Sequence, residues 1–364
     1  MRFLTPVDGD MLSNVSGKIR DEMLFIEVDV AADEGKSIEI NSVPAIFNDG
    51  KYSAIVPLYG YRNTLEVVDK ISGESIIAGV YWLKNAAKKY SLSVDDNIFF
   101  LCDITKNKDI YTSIFDNPYL AVYKKAHDLY GAKVRINLFY SIDEKYEDVF
   151  GKFNLSMMTD KFKCEWVANS DWLHLAFHSY NEFPDRPYLT TSYEKIINDY
   201  RLIIGEIKRF AGEECIERAT TFHWGASNRT GVRAVRAQGI GLLMGYLDYD
   251  KDGNSFVSYY LTPKEIDKAN VYGFWKDHSE DMIFGKIDCV LNTAQPAENI
   301  AKLEKSLLKY PKKGFIELMI HEQYFYPFYV AYMENYAERI LTACEWCVNH
   351  GYTASFASDV VFED

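Results

Sequence analysis

Tyr90–Asn97 (YSLSVDDN) and Asn117–Tyr140 (NPYLAVYKKAHDLYGAKVRINLFY) decide how this chain is read. In the first piece Leu92 and Val94 alternate with Ser91 and Ser93, and two adjacent carboxylates, Asp95 and Asp96, close it. The alternation predicts a half-buried strand with an acidic pair at its C-terminal end. In the second piece Leu120, Tyr123, His127 and Tyr130 recur at helical spacing and Gly131 stops the run. An apolar strand, Val134 to Tyr140, follows. Strand, acidic turn, helix and strand make a βαβ unit, the start of a parallel α/β architecture. Two adjacent carboxylates at a strand end are costly to desolvate and raise each other's pKa unless a cation lies between them. One of them is expected to bind a metal and the other to handle a proton.

These pieces, taken together, resemble the opening of the polysaccharide deacetylase family with the NodB homology domain. There a strand ends in Asp-Asp-Gly and a helix leads through a glycine turn into a strand ending in aromatics. The resemblance implies Asp95 as general base and Asp96 as metal ligand. This chain departs from the family pattern in having Asn97 after the pair and a long insertion, residues 98–116.

The rest of the chain carries further strand ends with polar residues. LAFHSYNEFPDRPY (Leu175–Tyr188) delivers His178, with Glu182 four residues on. The two converge on one cation if the segment turns helically. The family has His-x-x-x-His here, both ligating, so the resemblance puts His178 and Glu182 beside Asp96 in the metal shell. His174 also precedes His178 by four, but within a strand they stand about 13 Å apart, and His174 reads as structural. Arg186, in a proline-rich loop, is expected to pair with a carboxylate at the mouth of the site. TTFHWGASN (Thr220–Asn228) lies where the family has Arg-Pro-Pro-Tyr-Gly. His223 is expected to replace that arginine as a donor to Asp95, with Trp224 beside it on the substrate-binding side. Met319-Ile320-His321 matches the family's Leu-x-His, which implies His321 as the general acid, a task suited to a pKa near neutrality. Asp288 ends another strand and is expected to orient His321.

Residues 1–84 read as short strands with Gly, Asn and Asp turns: Met23–Val30, Ser37–Ile40, Lys51–Val56 and Asn63–Asp69. They predict a small Ig-like β-sandwich. From residue 85 to the end, about seven strand–helix steps predict a TIM-like β/α barrel, whose chemistry gathers at the C-terminal strand ends. The steps include an amphipathic helix over Ser192–Ala211 and strands over Thr220–Trp224, Leu242–Tyr246, Ser255–Leu261, Ile283–Leu291 and Phe315–His321. Tyr329–Asn349 is read as the closing helix.

With 364 residues and 48% hydrophobic content the chain can fill such a core, and a net charge of −13 gives little attraction for nucleic acid. No run of about 18 apolar residues predicts a membrane span. The N-terminus lacks the apolar core of a signal peptide, so a cytoplasmic location, or a trimmed leader, is expected. Cys344-Glu-Trp-Cys347 has one helical turn between its thiols and no second pair, so packing is expected rather than redox chemistry. Asp248-Tyr-Asp-Lys-Asp-Gly253 lacks the glutamate of a calcium loop at Tyr259 and predicts a hairpin turn. Gly239–Gly245 (GIGLLMG) lacks the glycine spacing of a dinucleotide fingerprint.

Taken with the resemblance, the chain is expected to be a metal-dependent hydrolase, zinc being the natural ion. It would act on an acylated amino sugar or polysaccharide. A glycan-binding protein that keeps the fold without the activity, or a hydrolase of another C–N or ester bond, are the alternatives.

Overall fold

The computed structural model describes residues 1–362 as a mixed α/β protein. The deciding stretch forms as read. Strand β1 (Lys89–Asn97) pairs in parallel with β2 (Val134–Phe139), Leu92 opposite Val134 and Val94 opposite Ile136. The Pro118–Tyr130 helix between them starts where the Asn117 side chain accepts the Leu120 N–H, with Pro118 in its first turn. It ends at Gly131, whose φ of 65° is the left-handed cap that glycine adopts without strain. Leu120 and Tyr123 are buried. His127 lies off the apolar face, donating to the Ala132 carbonyl and stacking on Trp172 at 4.3 Å. The insertion is ordered, with a helix over Phe99–Lys106 and a short turn at Ile114–Asp116.

Strand β1 is buried on both faces, not one. Ser91 and Ser93 are as buried as Leu92 and Val94 because parallel strands here are covered on both sides. Further strands are β3 (Leu173–Ser179), β4 (Ala219–Thr220), β5 (Leu242–Gly245), β6 (Met282–Lys286), β7 (Cys289–Val290) and β8 (Phe315–His321); Phe274–Asp277 pairs antiparallel with β6, and Thr353–Ala354 pairs with β1. One ladder runs β3-β2-β1-β8-β7, and the three strands β4, β5 and β6 run parallel in a second. The segment 282–290 passes from one ladder to the other, β6 pairing with β5 and β7 with β8. Between β3 and β4 the pairing thins to a single bridge, Leu175 to Ile216.

Several expected elements are shorter. The strand read over Thr220–Trp224 stops at Thr220, and a tight turn over His223–Gly225 follows with Trp224 at a left-handed φ of 62°. That over Ser255–Leu261 keeps only Ser255–Phe256, which pairs antiparallel with Asp248–Tyr249. The acidic stretch between them is the expected hairpin turn, with the Asp250 carboxylate accepting from the amides of Asp252 and Asn254. The closing helix begins at Tyr336. Cys344 and Cys347 are buried free thiols within it. No helix among the described residues is long and apolar enough to cross a membrane.

The N-terminal strands form two five-stranded sheets around one cluster that includes Leu24, Ile26, Val28, Val56, Leu65, Val67, Val80 and Trp82. The last of these strands, Ser75–Leu83, runs through Tyr81. Met11, Tyr81 and Leu83 pack with Ala219, Leu242 and Ile283. At this junction Asp10, 3% exposed, bridges to Trp275 and accepts the Val7 N–H through Oδ2. Its Oδ1 is buried with no partner among the described residues. Burial raises the Asp10 pKa from 3.8 to about 7. A raised carboxyl favours the fold while protonated, so its contribution is complete below the unfolded value and is lost as pH rises to about 7. Asp10→Asn should therefore be more stable than the parent at neutral and alkaline pH, the two converging in acid. Urea denaturation at about pH 4 and about pH 8 checks this; a gap that does not widen with pH would count against it.

Candidate metal centre

Asp95 and Asp96 are neighbours in sequence but face different partners. The ladder between β1 and β2 slips between Val94 and Asn97, and Asp96 takes a φ of 66°. A non-glycine residue there carries strain of about 1–2 kcal/mol, sustained by its surroundings. Asn97 supplies part of them. Its amide donates to the carbonyls of Val94 (2.7 Å) and Asn137 (3.1 Å), and its oxygen accepts the Tyr119 hydroxyl at 2.6 Å. A glycine at 97 could make none of these bonds. Asp95 accepts from the Asn137 side chain and sits opposite His321 in the β1–β8 register.

Asp96 turns toward two histidines. Its Oδ1 lies 2.9 Å from His178 Nε2 and 3.0 Å from His223 Nδ1, and the two nitrogens are 3.3 Å apart. All three residues are buried. The His178 Nδ1 donates to the Thr221 carbonyl, which leaves Nε2 unprotonated toward the cluster in the neutral ring. Burial would raise the Asp96 carboxyl, but His223, His178 and His321 together hold it well below the usual range. For His178 burial acts the other way, and the charges of Asp95 and Asp96 outweigh it and raise the imidazole. His223 Nε2 is buried with no partner among the described residues. One carboxylate oxygen and two imidazole nitrogens at this spacing suit an ion with ligand distances of about 2.0–2.2 Å. The Asp96–His178–His223 cluster can hold a metal ion.

Of the residues expected as ligands, Asp96 and His178 lie in this cluster; its third member is His223, and Glu182 lies outside it. The segment after Ser179 leaves β3 as irregular chain rather than a helical turn, so the i, i+4 spacing does not converge. Glu182 instead accepts the Tyr146 hydroxyl at 3.1 Å; burial, then repulsion from Asp96, pushes its carboxyl up to about 7. The donor to Asp95 is Asn137, not His223. Asp288 is buried away from the site, paired with Lys313 and the Glu317 amide. His321 is oriented by Asn292, whose side-chain oxygen accepts from Nδ1 at 2.9 Å. Arg186 pairs with no carboxylate among the described residues and lies 5.9 Å over the Trp224 ring. His174 is bound to Glu217 at 3.0 Å and stacked on Phe356, apart from the cluster.

Asp95, Asp96, His178, Glu182, His223, Trp224 and His321 line one cleft of about 630 Å³. Asn137 escaped the sequence reading although Arg135 and Asn137 alternate through an otherwise apolar strand, a signal that polar side chains share one buried face. Asn292, in a turn after β7, carries no such signal.

Glu322, directly after His321, is also missed. It is fully buried, and its carboxylate accepts the amides of Ile98 (2.6 Å), Phe99 (2.9 Å) and Phe100 (2.7 Å). It thus caps the helix that follows the acidic pair. Glu322→Gln leaves one oxygen for these three amides and the Tyr326 hydroxyl, which also donates to the carboxylate at 3.2 Å. The variant should unfold with a stability lower by on the order of 2 kcal/mol, read from urea denaturation; unchanged stability would mean that these amides find other acceptors.

No family model and no curated protein matches the chain. Among solved structures, a 4-alpha-glucanotransferase from Thermococcus litoralis aligns at 11% identity and a TM-score of 0.46, over 75% of this chain and 39% of that one. A sialyltransferase from Photobacterium damsela aligns at 8% identity and a TM-score of 0.13, over 60% and 42%. The chain therefore spans well under half the length of either.

Proposed function

We propose that the chain is a metal-dependent hydrolase resembling the polysaccharide deacetylases, which removes an acyl group from an amino sugar or related carbohydrate. The observation that carries this reading is the Asp96–His178–His223 cluster in one cleft with Asp95 and His321. The architecture proposed with it is a TIM-like β/α barrel of about seven strands behind an Ig-like sandwich. The parallel pairings β3-β2-β1-β8-β7 and β4-β5-β6 support it.

Zinc is the proposed ion, held by Asp96, His178 and His223; when bound it would lower the pKa of a water and polarise an acyl carbonyl. Asp95 has Oδ1 engaged by Asn137, which leaves Oδ2 to take a proton. His321 has Nδ1 engaged by Asn292, which leaves Nε2 to give one to a departing nitrogen. The two lie on adjacent strands, opposite in register, so acid and base serve the same bond. Asn137 takes up the orienting of Asp95 for which the family uses an arginine.

Elemental analysis, followed by acetate release from N-acetylglucosamine oligomers by the zinc-loaded protein, tests this reading. Stoichiometric metal with turnover is expected. Saturable oligosaccharide binding with no acetate released under zinc, cobalt or manganese would favour a glycan-binding protein instead.

A further inference from the structure

The cleft contains a polar pair that the proposed chemistry does not use. Gln323 lies two residues beyond His321, is 2% exposed and lines the cleft. Its Oε1 is buried and has no hydrogen-bond partner among the described residues. Beside it the Glu182 carboxyl accepts the Tyr146 hydroxyl through Oε1 at 3.1 Å, and the Gln323 side chain favours its ionised form. Glu182 and Tyr146 line the cleft beside Gln323. Tyr146 therefore holds Glu182 by one oxygen, while Gln323 Oε1 and the second Glu182 oxygen remain as acceptors.

A buried carbonyl oxygen left without a donor costs about 1–3 kcal/mol, and native interiors rarely keep one. The missing donor is supplied by whatever enters the cleft. Two acceptors on side chains that line the same cleft call for two donors on one ligand. An ammonium is disfavoured here once a cation sits at the Asp96 cluster, because like charges repel in a cleft of low dielectric. Hydroxyls carry no such penalty. The cleft wall beside the pair includes Tyr324 and Tyr329, apolar faces suited to a ring.

We infer that Glu182 and Gln323 form a hydroxyl-reading subsite that accepts two adjacent O–H groups of a saccharide ring and holds it for the chemistry at Asp95 and His321. The inference rests on the hydrolase reading of the same cleft, and it makes Glu182 a substrate-positioning residue rather than a metal ligand.

The test compares two probes on zinc-loaded protein: tri-N-acetylchitotriose, and p-nitrophenyl acetate, which has no hydroxyl. A site built to hydrogen-bond a hydroxyl discriminates strongly against a ligand that lacks it. In Gln323→Leu and in Glu182→Gln the ratio of kcat/KM for the saccharide to that for the ester should fall at least about tenfold. Zinc affinity should change by less than about tenfold in either variant. An unchanged ratio overturns the inference, and so does loss of zinc from Glu182→Gln, which would make Glu182 a ligand. If neither probe is hydrolysed, the hydrolase reading fails, and calorimetric binding of the saccharide decides the subsite. Binding weakened at least about tenfold in Gln323→Leu supports it, whereas equal affinity, or no saccharide binding by the parent protein, overturns it.

Discussion

Asp96→Asn is expected to lower the affinity for zinc by at least about a hundredfold. Losing an outer hydrogen-bond partner of a ligand already costs roughly 10–100-fold, and here the ligand and its charge go together. The substitution isolates that effect. Asparagine is nearly isosteric, and it tolerates the left-handed backbone that Asp96 adopts at φ 66°. The turn after β1 should therefore survive, with Asn97 still held by Val94, Asn137 and Tyr119. Titration calorimetry gives the affinity, and circular dichroism the fold. Zinc bound as tightly by the variant would remove Asp96 from the centre.

The second large effect concerns proton transfer. General acids and bases each typically contribute about 10²–10⁴-fold. Asp95→Asn and His321→Ala should then each lower kcat for acetate release by at least about a hundredfold. The double variant should lose less than the product of the two, because removing one partner stalls the step the other serves. Zinc binding should persist in both, since neither side chain belongs to the Asp96–His178–His223 cluster. Turnover that survives in Asp95→Asn would take the base from Asp95.

What the sequence disclosed about this site follows from which interactions are local. The Asn117 cap, Pro118, the apolar spacing and Gly131 all act within one helix, so the βαβ unit was legible. Strand ends were legible because polar residues interrupt apolar runs at Asp95, His178 and His321. The pairing of those ends was not. His223 reaches Asp96 from the irregular turn after Thr220, and Glu182 stays outside the cluster because residues after Ser179 do not coil. Both are tertiary outcomes with no periodic trace. Asp288 misled for a related reason: a carboxylate at a strand end looks alike whether it faces the cleft or, as here, a buried lysine.

The Glu322 cap has a mechanical consequence. Residue 322 is covalently next to His321, and the amides it grips at Ile98–Phe100 come directly after Asp95, Asp96 and Asn97. The two strand ends are thereby cross-braced, and a displacement of one is passed to the other rather than widening the gap between them. The segment between Leu101 and Asp116 lies downstream of the brace. A change within it is therefore not passed directly to the strand ends that carry Asp95 and His321.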